Sequence, residues 1–210
     1  MAMVWACAVS VDEYRAAGRD VVVPRPGCPG CGAPMSFWSG YERSLRCGGR
    51  CLRLWVRRAR CGPCRATHVL LPSFCLVGRL DVVEVIGEVV AGVVGAGGGV
   101  RPVAARVEVP YTTARDWVRR FARRAGVVAA GFAALVVELS GWAPRLPAEA
   151  ARQALAAIWL AFSAARVRAG PVLPGLWGFA ALVSGGRLLA ANSDSLSIVL
   201  GKRRFIPPVP

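Results

Sequence analysis

Two pairs of cysteines, Cys28-Pro29-Gly30-Cys31 and Cys61-Gly62-Pro63-Cys64, are the residues best placed to do chemistry. The segment between them must fold back to bring the pairs together. Four thiolates meeting at one point make the closed, tetrahedral, sulfur-rich shell that Zn²⁺ prefers, and two C-x₂-C knuckles joined by a hairpin supply it in a zinc ribbon. Pro and Gly inside each knuckle suit a tight turn whose backbone N–H groups point at the sulfurs. Cys28, Cys31, Cys61 and Cys64 are therefore the expected ligands, and Zn²⁺ the expected cofactor. His68, the single histidine, follows Cys64 by four positions. With four cysteines already closing the shell, it reads as a packing residue or a group that orients the ligands from behind. Cys47 and Cys51 flank Gly48-Gly49. Their C-x₃-C spacing fits a second metal site or a redox pair, but further ligands are lacking nearby, and they read first as free thiols.

The elements that must position these ligands are visible between the knuckles. Ser36–Arg46 and Leu52–Arg60 are extended candidates, the second with Leu52, Leu54 and Val56 alternating against Arg53, Trp55 and Arg57. Gly48-Gly49 provides the turn. From Arg43 to Arg65 there are eight arginines and no acid. Arginine grips phosphate through two N–H groups, so Arg53, Arg57 and Arg58 are expected phosphate contacts, against the plainer reading of a solvated face.

On either side the texture changes. Residues 1–20 read as a leader with a short helix, opened by the capping box Ser10-Val11-Asp12-Glu13. Val21-Val22-Val23 reads as a strand leading into a ribbon domain over 21–75. Past Arg79, Val82, Val85, Ile86, Val89, Val90 and Val93 draw one apolar helical stripe. Gly95–Gly99 break it, Pro102 opens a second helix through Arg106, and Tyr111–Arg124 is a third. Two short helices joined by a brief turn, the later one rich in arginine, form a helix-turn-helix pattern over 79–125. Ala104, Val107, Val109, Ala114 and Trp117 are its expected core. Tyr111, Thr112, Arg115 and Asp116 would face a major groove, with Arg119, Arg120, Arg123 and Arg124 near phosphates. Glu108 occupies the turn position where glycine is usual. A three-helix packing unit without DNA contact is the competing reading.

Beyond Gly126 the charge thins out. Residues 126–200 read as an apolar helical region that includes Phe132–Leu139, a helix opened by Pro147-Ala148-Glu149 with Leu155, Ile158, Trp159 and Phe162 on one face, Leu176–Val183, and Ser195–Leu200. Residues 201–210 read as a disordered tail. Ala169–Gly186 is free of acids and amines but carries Pro171 and Pro174, so it reads as buried core rather than a membrane span.

In 210 residues there are 27 basic and 12 acidic side chains, a net charge of +15. Such an excess favours a polyanionic partner, although heavy use of Arg, Ala, Val and Gly throughout offers a purely compositional cause. No signal peptide is evident, and eight cysteines without one point to a reducing cytoplasm, where a DNA-binding chain would be nucleoid-associated. No Ser/His/Asp set or phosphate loop is present, and a cysteine nucleophile would have to be Cys7, Cys47, Cys51 or Cys75 without an evident base. The expectation is a non-enzyme.

Cys28-Pro-Gly-Cys-Gly, the arginine-rich hairpin, Cys61-Gly-Pro-Cys-Arg-Ala-Thr-His68, Val69-Leu-Leu-Pro72, and the helical pair ending in Trp117-Val-Arg-Arg-Phe121 together resemble a bacterial domain family of unknown function. The arrangement is similar to the N-terminal zinc-binding and helix-turn-helix portion of insertion-sequence transposases, over about 21–124. The resemblance implies metal binding by the four cysteines and DNA contact by the third helix. It does not imply catalysis, because after Arg124 only Glu138, Glu149 and Asp194 remain in 86 residues of helical texture, too little chain for the three-carboxylate domain of such enzymes and without alternating strands before those residues. The expected fold is mostly α with a small β zinc ribbon. The expected partner is double-stranded DNA, with a homodimer through the C-terminal helices as a second expectation and no membrane association expected. A protein-interaction adaptor, its ribbon binding a partner and its C-terminal half oligomerising, is the alternative.

Overall fold

The computed structural model describes residues 2–170 and 173–190. Its central feature is a long hairpin, β2 (Met35–Cys47) and β3 (Arg50–Cys61), turning at Gly48-Gly49 where the sequence predicts. The sheet is larger than that hairpin. β1 (Ala2–Trp5) lies parallel to β4 (Thr67–Pro72), and β4 pairs antiparallel with β3, giving the order β1-β4-β3-β2. The apolar residues at the start of the chain are thus one edge of the sheet. α1 (Val11–Ala17) begins at the expected capping box, Ser10 Oγ accepting from the Glu13 N–H and Glu13 accepting from the Ser10 N–H. Val21–Val23 is not a strand. Val21 and Val23 are buried and Val22 exposed, as in extended chain, but Pro24 and Pro26 lack the N–H groups a ladder requires.

Helices make up about half of the described residues. α2 (Val83–Val90) buries Val83, Ile86, Val89 and Val90 and ends in a π-helical turn, Ala91–Gly95. α3 (Val100–Arg106) carries Pro102 in its first turn, where its missing N–H costs nothing. α4 (Tyr111–Ser140) is thirty residues long. The predicted helix Tyr111–Arg124 therefore does not stop where the charge thins. Gly126 is exposed and interior to the helix, and the fall in charge marks a change of packing partner along a single rod. Arg124 is only 8% exposed, so it faces the core and not a phosphate.

α5 (Ala150–Ala169) starts at Glu149, whose carboxylate accepts from the Ala151 and Arg152 N–H groups. Its buried stripe differs from the predicted one. Ala151, Ala154, Ala157, Ile158, Ala161 and Ala165 face the core, whereas Trp159 is 58% exposed. Small side chains let α5 approach α4 closely, which a stripe of Leu and Trp would prevent. α6 (Leu176–Val183) is buried nearly all round and links the two cores: Phe179 and Ala180 belong to the helical core, and Leu182 to the core under the sheet. Among the described residues no helix is long and apolar enough to cross a membrane. Ser195–Leu200 and the tail 201–210 lie outside the described residues.

Glu108 joins the helices to the hairpin. It sits between α3 and α4 at φ +56°, and its carboxylate accepts from the Gly49 N–H at 3.1 Å. A non-glycine residue in this left-handed region costs about 1 kcal/mol, offset by an exposed hydrogen bond of similar worth. Glu108→Ala keeps the strain and loses the bond, so it should destabilise by about 1 kcal/mol. Glu108→Gly, which also relieves the strain, should be close to neutral. Urea unfolding of the two variants checks the difference.

Candidate metal centre

The two knuckles are built alike. In the first, the Cys28 N–H donates to Ala33 O at 2.8 Å and Gly32, just after the second cysteine, has φ +79°. In the second, the Cys61 N–H donates to Ala66 O at 2.9 Å and Arg65, in the matching position, has φ +60°. Arginine in that conformation is strained by about 1–2 kcal/mol, and the knuckle geometry imposes it. The hairpin register then closes the site, pairing Met35 with Cys61, while a bridge between Gly27 and Pro34 folds the first knuckle against the strand.

All four sulfurs lie within 4.8 Å of one another. Cys28 Sγ is 3.5 Å from Cys64 Sγ, and Cys31 Sγ is 3.4 Å from Cys61 Sγ. A regular tetrahedron with Zn–S bonds of about 2.3 Å has edges of about 3.8 Å. The four cysteines could therefore hold a metal ion, and the dimensions are consistent with zinc. The first cysteine of each pair is buried and the second exposed. The Cys31 and Gly30 N–H groups directed at Cys28 Sγ hold its thiol down to about 6. The Cys64 N–H acts in the same direction on Cys61, but burial and hydrogen bonding among the neighbouring sulfurs outweigh it and push that thiol up to about 12. Four crowded sulfurs cannot all carry charge by themselves, and a bound cation removes that restriction.

The other sulfur and imidazole groups stand apart from the cluster. His68 is 1% exposed, neither ring nitrogen has a hydrogen-bond partner among the described residues, and burial lowers its pKa. It is a packing histidine. Cys47 pairs with Arg50 and Cys51 with Arg46, so the two thiols point to opposite faces of the hairpin and share neither an ion nor a disulfide. Burial raises the Cys7 thiol and pushes Cys75 up to about 12, leaving little thiolate at neutral pH.

Residues 28–104 match the family described as a domain of unknown function, DUF6431. The match begins at the first ligand and ends in α3, so it takes in the whole cysteine cluster and stops short of α4. The description names no activity. No curated protein matches the chain, and no solved structure matches it.

The basic residues are less free than the sequence implies. Arg43 donates to Leu76 O and Arg79 O, Arg46 pairs with the buried Asp81 at 2.8 Å, and Arg50 pairs with Asp12 at 2.7 Å. The acids missing from 43–65 are supplied by neighbouring segments. The three predicted hairpin contacts also do not share a surface. Arg53 and Arg57 lie on one face and Arg58 on the other, because consecutive strand residues alternate. Arg57 is further committed to Arg19 O and to the Phe37 ring.

On α4, Tyr111, Thr112, Arg115, Arg119 and Arg123 are exposed. Asp116 pairs with Arg120 at 2.6 Å, which holds the carboxyl below its usual range. The pair orients both side chains one turn apart on α4 and leaves the Asp116 carboxylate partly exposed. Sequence reasoning missed Arg101, whose guanidinium lies 5.2 Å from the Tyr111 ring while that of Arg115 lies 5.5 Å from it. The spacing of an α3 residue to the first turn of α4 gives no periodic signal, so nothing in the sequence marks it.

Proposed function

We propose that the chain is a zinc-stabilised, non-catalytic DNA-binding protein, acting as a regulator or as a transposase-like targeting protein. The hairpin with its knuckles is the zinc ribbon and α3–α4 is the helix-turn-helix, with the exposed first turn of α4 entering the major groove of double-stranded DNA. Nucleoid association in the cytoplasm follows from that partner. The observation that carries the reading is the tie between the two basic parts. The Glu108–Gly49 bond and the Arg46–Asp81 pair fasten the hairpin to the segments before and after α2 and α3, so ribbon and helix meet a duplex as one rigid unit. Tyr111, with the Arg101 and Arg115 guanidiniums both over its ring, gathers those cations at the groove-facing end.

Selection of random duplex DNA on the zinc-loaded protein tests this. Arg115→Ala should lose sequence preference at a cost of about 1–3 kcal/mol. Arg119→Ala should weaken all sequences alike and reduce the slope of log K against log salt by about 0.9. Equal, sequence-blind weakening in both variants would place recognition elsewhere.

The adaptor reading draws on a different observation. Val127 and Val137 on α4, Trp142 after it, and Trp159 and Val167 on α5 are exposed, an apolar surface suited to a homodimer or a protein partner. Salt-insensitive partner binding that is lost with residues 127–210 would favour it.

A further inference from the structure

The hairpin register leaves one part of the sheet with a different character from the rest. Phe37 pairs with Ala59 and Ser39 with Arg58, so Trp38 is the extra residue of a β-bulge on the edge strand β2. Bulges re-aim a side chain, and this one turns an indole outward that is 57% exposed. The Arg60 guanidinium lies 5.3 Å from the ring. Tyr41, farther along the same edge strand, is also exposed.

Strand alternation decides what surrounds these rings. Tyr41 pairs with Val56 and Ser36 with Arg60, so Tyr41, Ser39 and Ser36 share a face with Arg58 and Arg60. Among the described residues, the buried Arg58 Nε is without a hydrogen-bond partner, and neither Arg58 nor Arg60 has an acid partner. The one acid in either strand, Glu42, pairs in register with Trp55 on the opposite face, with its carboxylate 4.0 Å from Arg53. Exposed ring faces beside uncompensated arginines call for a ligand with flat π surfaces and negative charge. In duplex DNA the base faces are hidden in the stack. In a single strand they are available beside the phosphates.

We propose that this face of β2 and β3 binds single-stranded nucleic acid, with a base stacked on Trp38 and Arg58 and Arg60 holding the adjoining phosphates. The surface is separate from the first turn of α4 and goes beyond duplex recognition. An acidic protein would satisfy the arginines but leave the indole without a stacking partner.

The experiment uses the full zinc-loaded chain, a fluorescein-labelled oligothymidylate of about twelve nucleotides, and a duplex of fixed sequence. Trp38→Ala should weaken single-strand binding roughly tenfold, and Trp38→Phe should restore most of it, since the ring supplies the stacking. Arg60→Ala should weaken binding and reduce its salt dependence. Arg115→Ala should leave single-strand affinity unchanged. Unaltered thermal midpoints will show that these exposed substitutions leave the fold intact. No measurable binding of the oligothymidylate, or equal affinity for it in Trp38→Ala and the parent chain, would overturn the proposal. Loss of duplex binding alone in Arg115→Ala would bear on the α4 reading and not on this one.

Discussion

Removing the metal by chelation, or replacing Cys61 with serine, is expected to expose backbone amides first in residues 26–35 and 60–67, while α4 and α5 keep their protection. The reason is the division of the core. The wide end of the hairpin is closed by the sulfurs, whereas its middle is held by Leu45, Leu54 and Val56 packed with Val4, Leu70 and Leu71. Structural zinc binds small finger peptides with about 10–16 kcal/mol because those peptides have no other core. Here the loss is limited to the free energy of opening the wide end, a few kcal/mol out of the roughly 5–15 kcal/mol typical of a domain. Hydrogen exchange with and without chelator measures it. Unchanged protection around Cys28 and Cys61 would mean that the cysteines hold nothing structural.

Gly87→Ala is expected to be among the most damaging single-methyl changes in the helical core. A Cβ at position 87 would overlap the Trp177 indole, which lies directly on the α2 backbone. Trp177 is 9% exposed and belongs to α6, the element shared by both cores, so the ring cannot turn out without moving that helix. Overpacking of this kind costs about 1–3 kcal/mol and occasionally more. Trp177→Ala alone should cost about 3–5 kcal/mol through the cavity it leaves. In the double variant the clash disappears, so the two costs should not add, and a double-mutant cycle by denaturant unfolding reads the coupling directly. Additive losses would show that Gly87 and Trp177 are not in contact.

Much of the hairpin was legible because strand alternation and turn glycine are local signals. Leu52, Leu54 and Val56 face inward and Gly48-Gly49 turns the chain, as their spacing requires. The cysteine cluster was legible because two C-x₂-C pairs on either side of a hairpin have the ligand spacing of a zinc ribbon. What the sequence concealed is long-range. Asp12 and Asp81 neutralise Arg50 and Arg46 from outside the hairpin, and no spacing rule reaches across those separations. Arg57 and Arg58 are neighbours in β3, so strand alternation divides between two faces a run of arginines that reads as one stripe. α4 looked shorter than it is because charge, and not helical periodicity, changes at Gly126. The alanine stripe of α5 was hidden because alanine carries little hydrophobic contrast, and the eye follows Leu155 and Trp159 instead.

Zinc K-edge X-ray absorption on the purified full chain reads both the bound ion and the atoms around it. One tightly held ion per chain is expected, with four sulfur neighbours at about 2.3 Å and no nitrogen from His68. A chain without stoichiometric metal, or a first shell containing imidazole or oxygen in place of any of the four sulfurs, would contradict a four-cysteine zinc site.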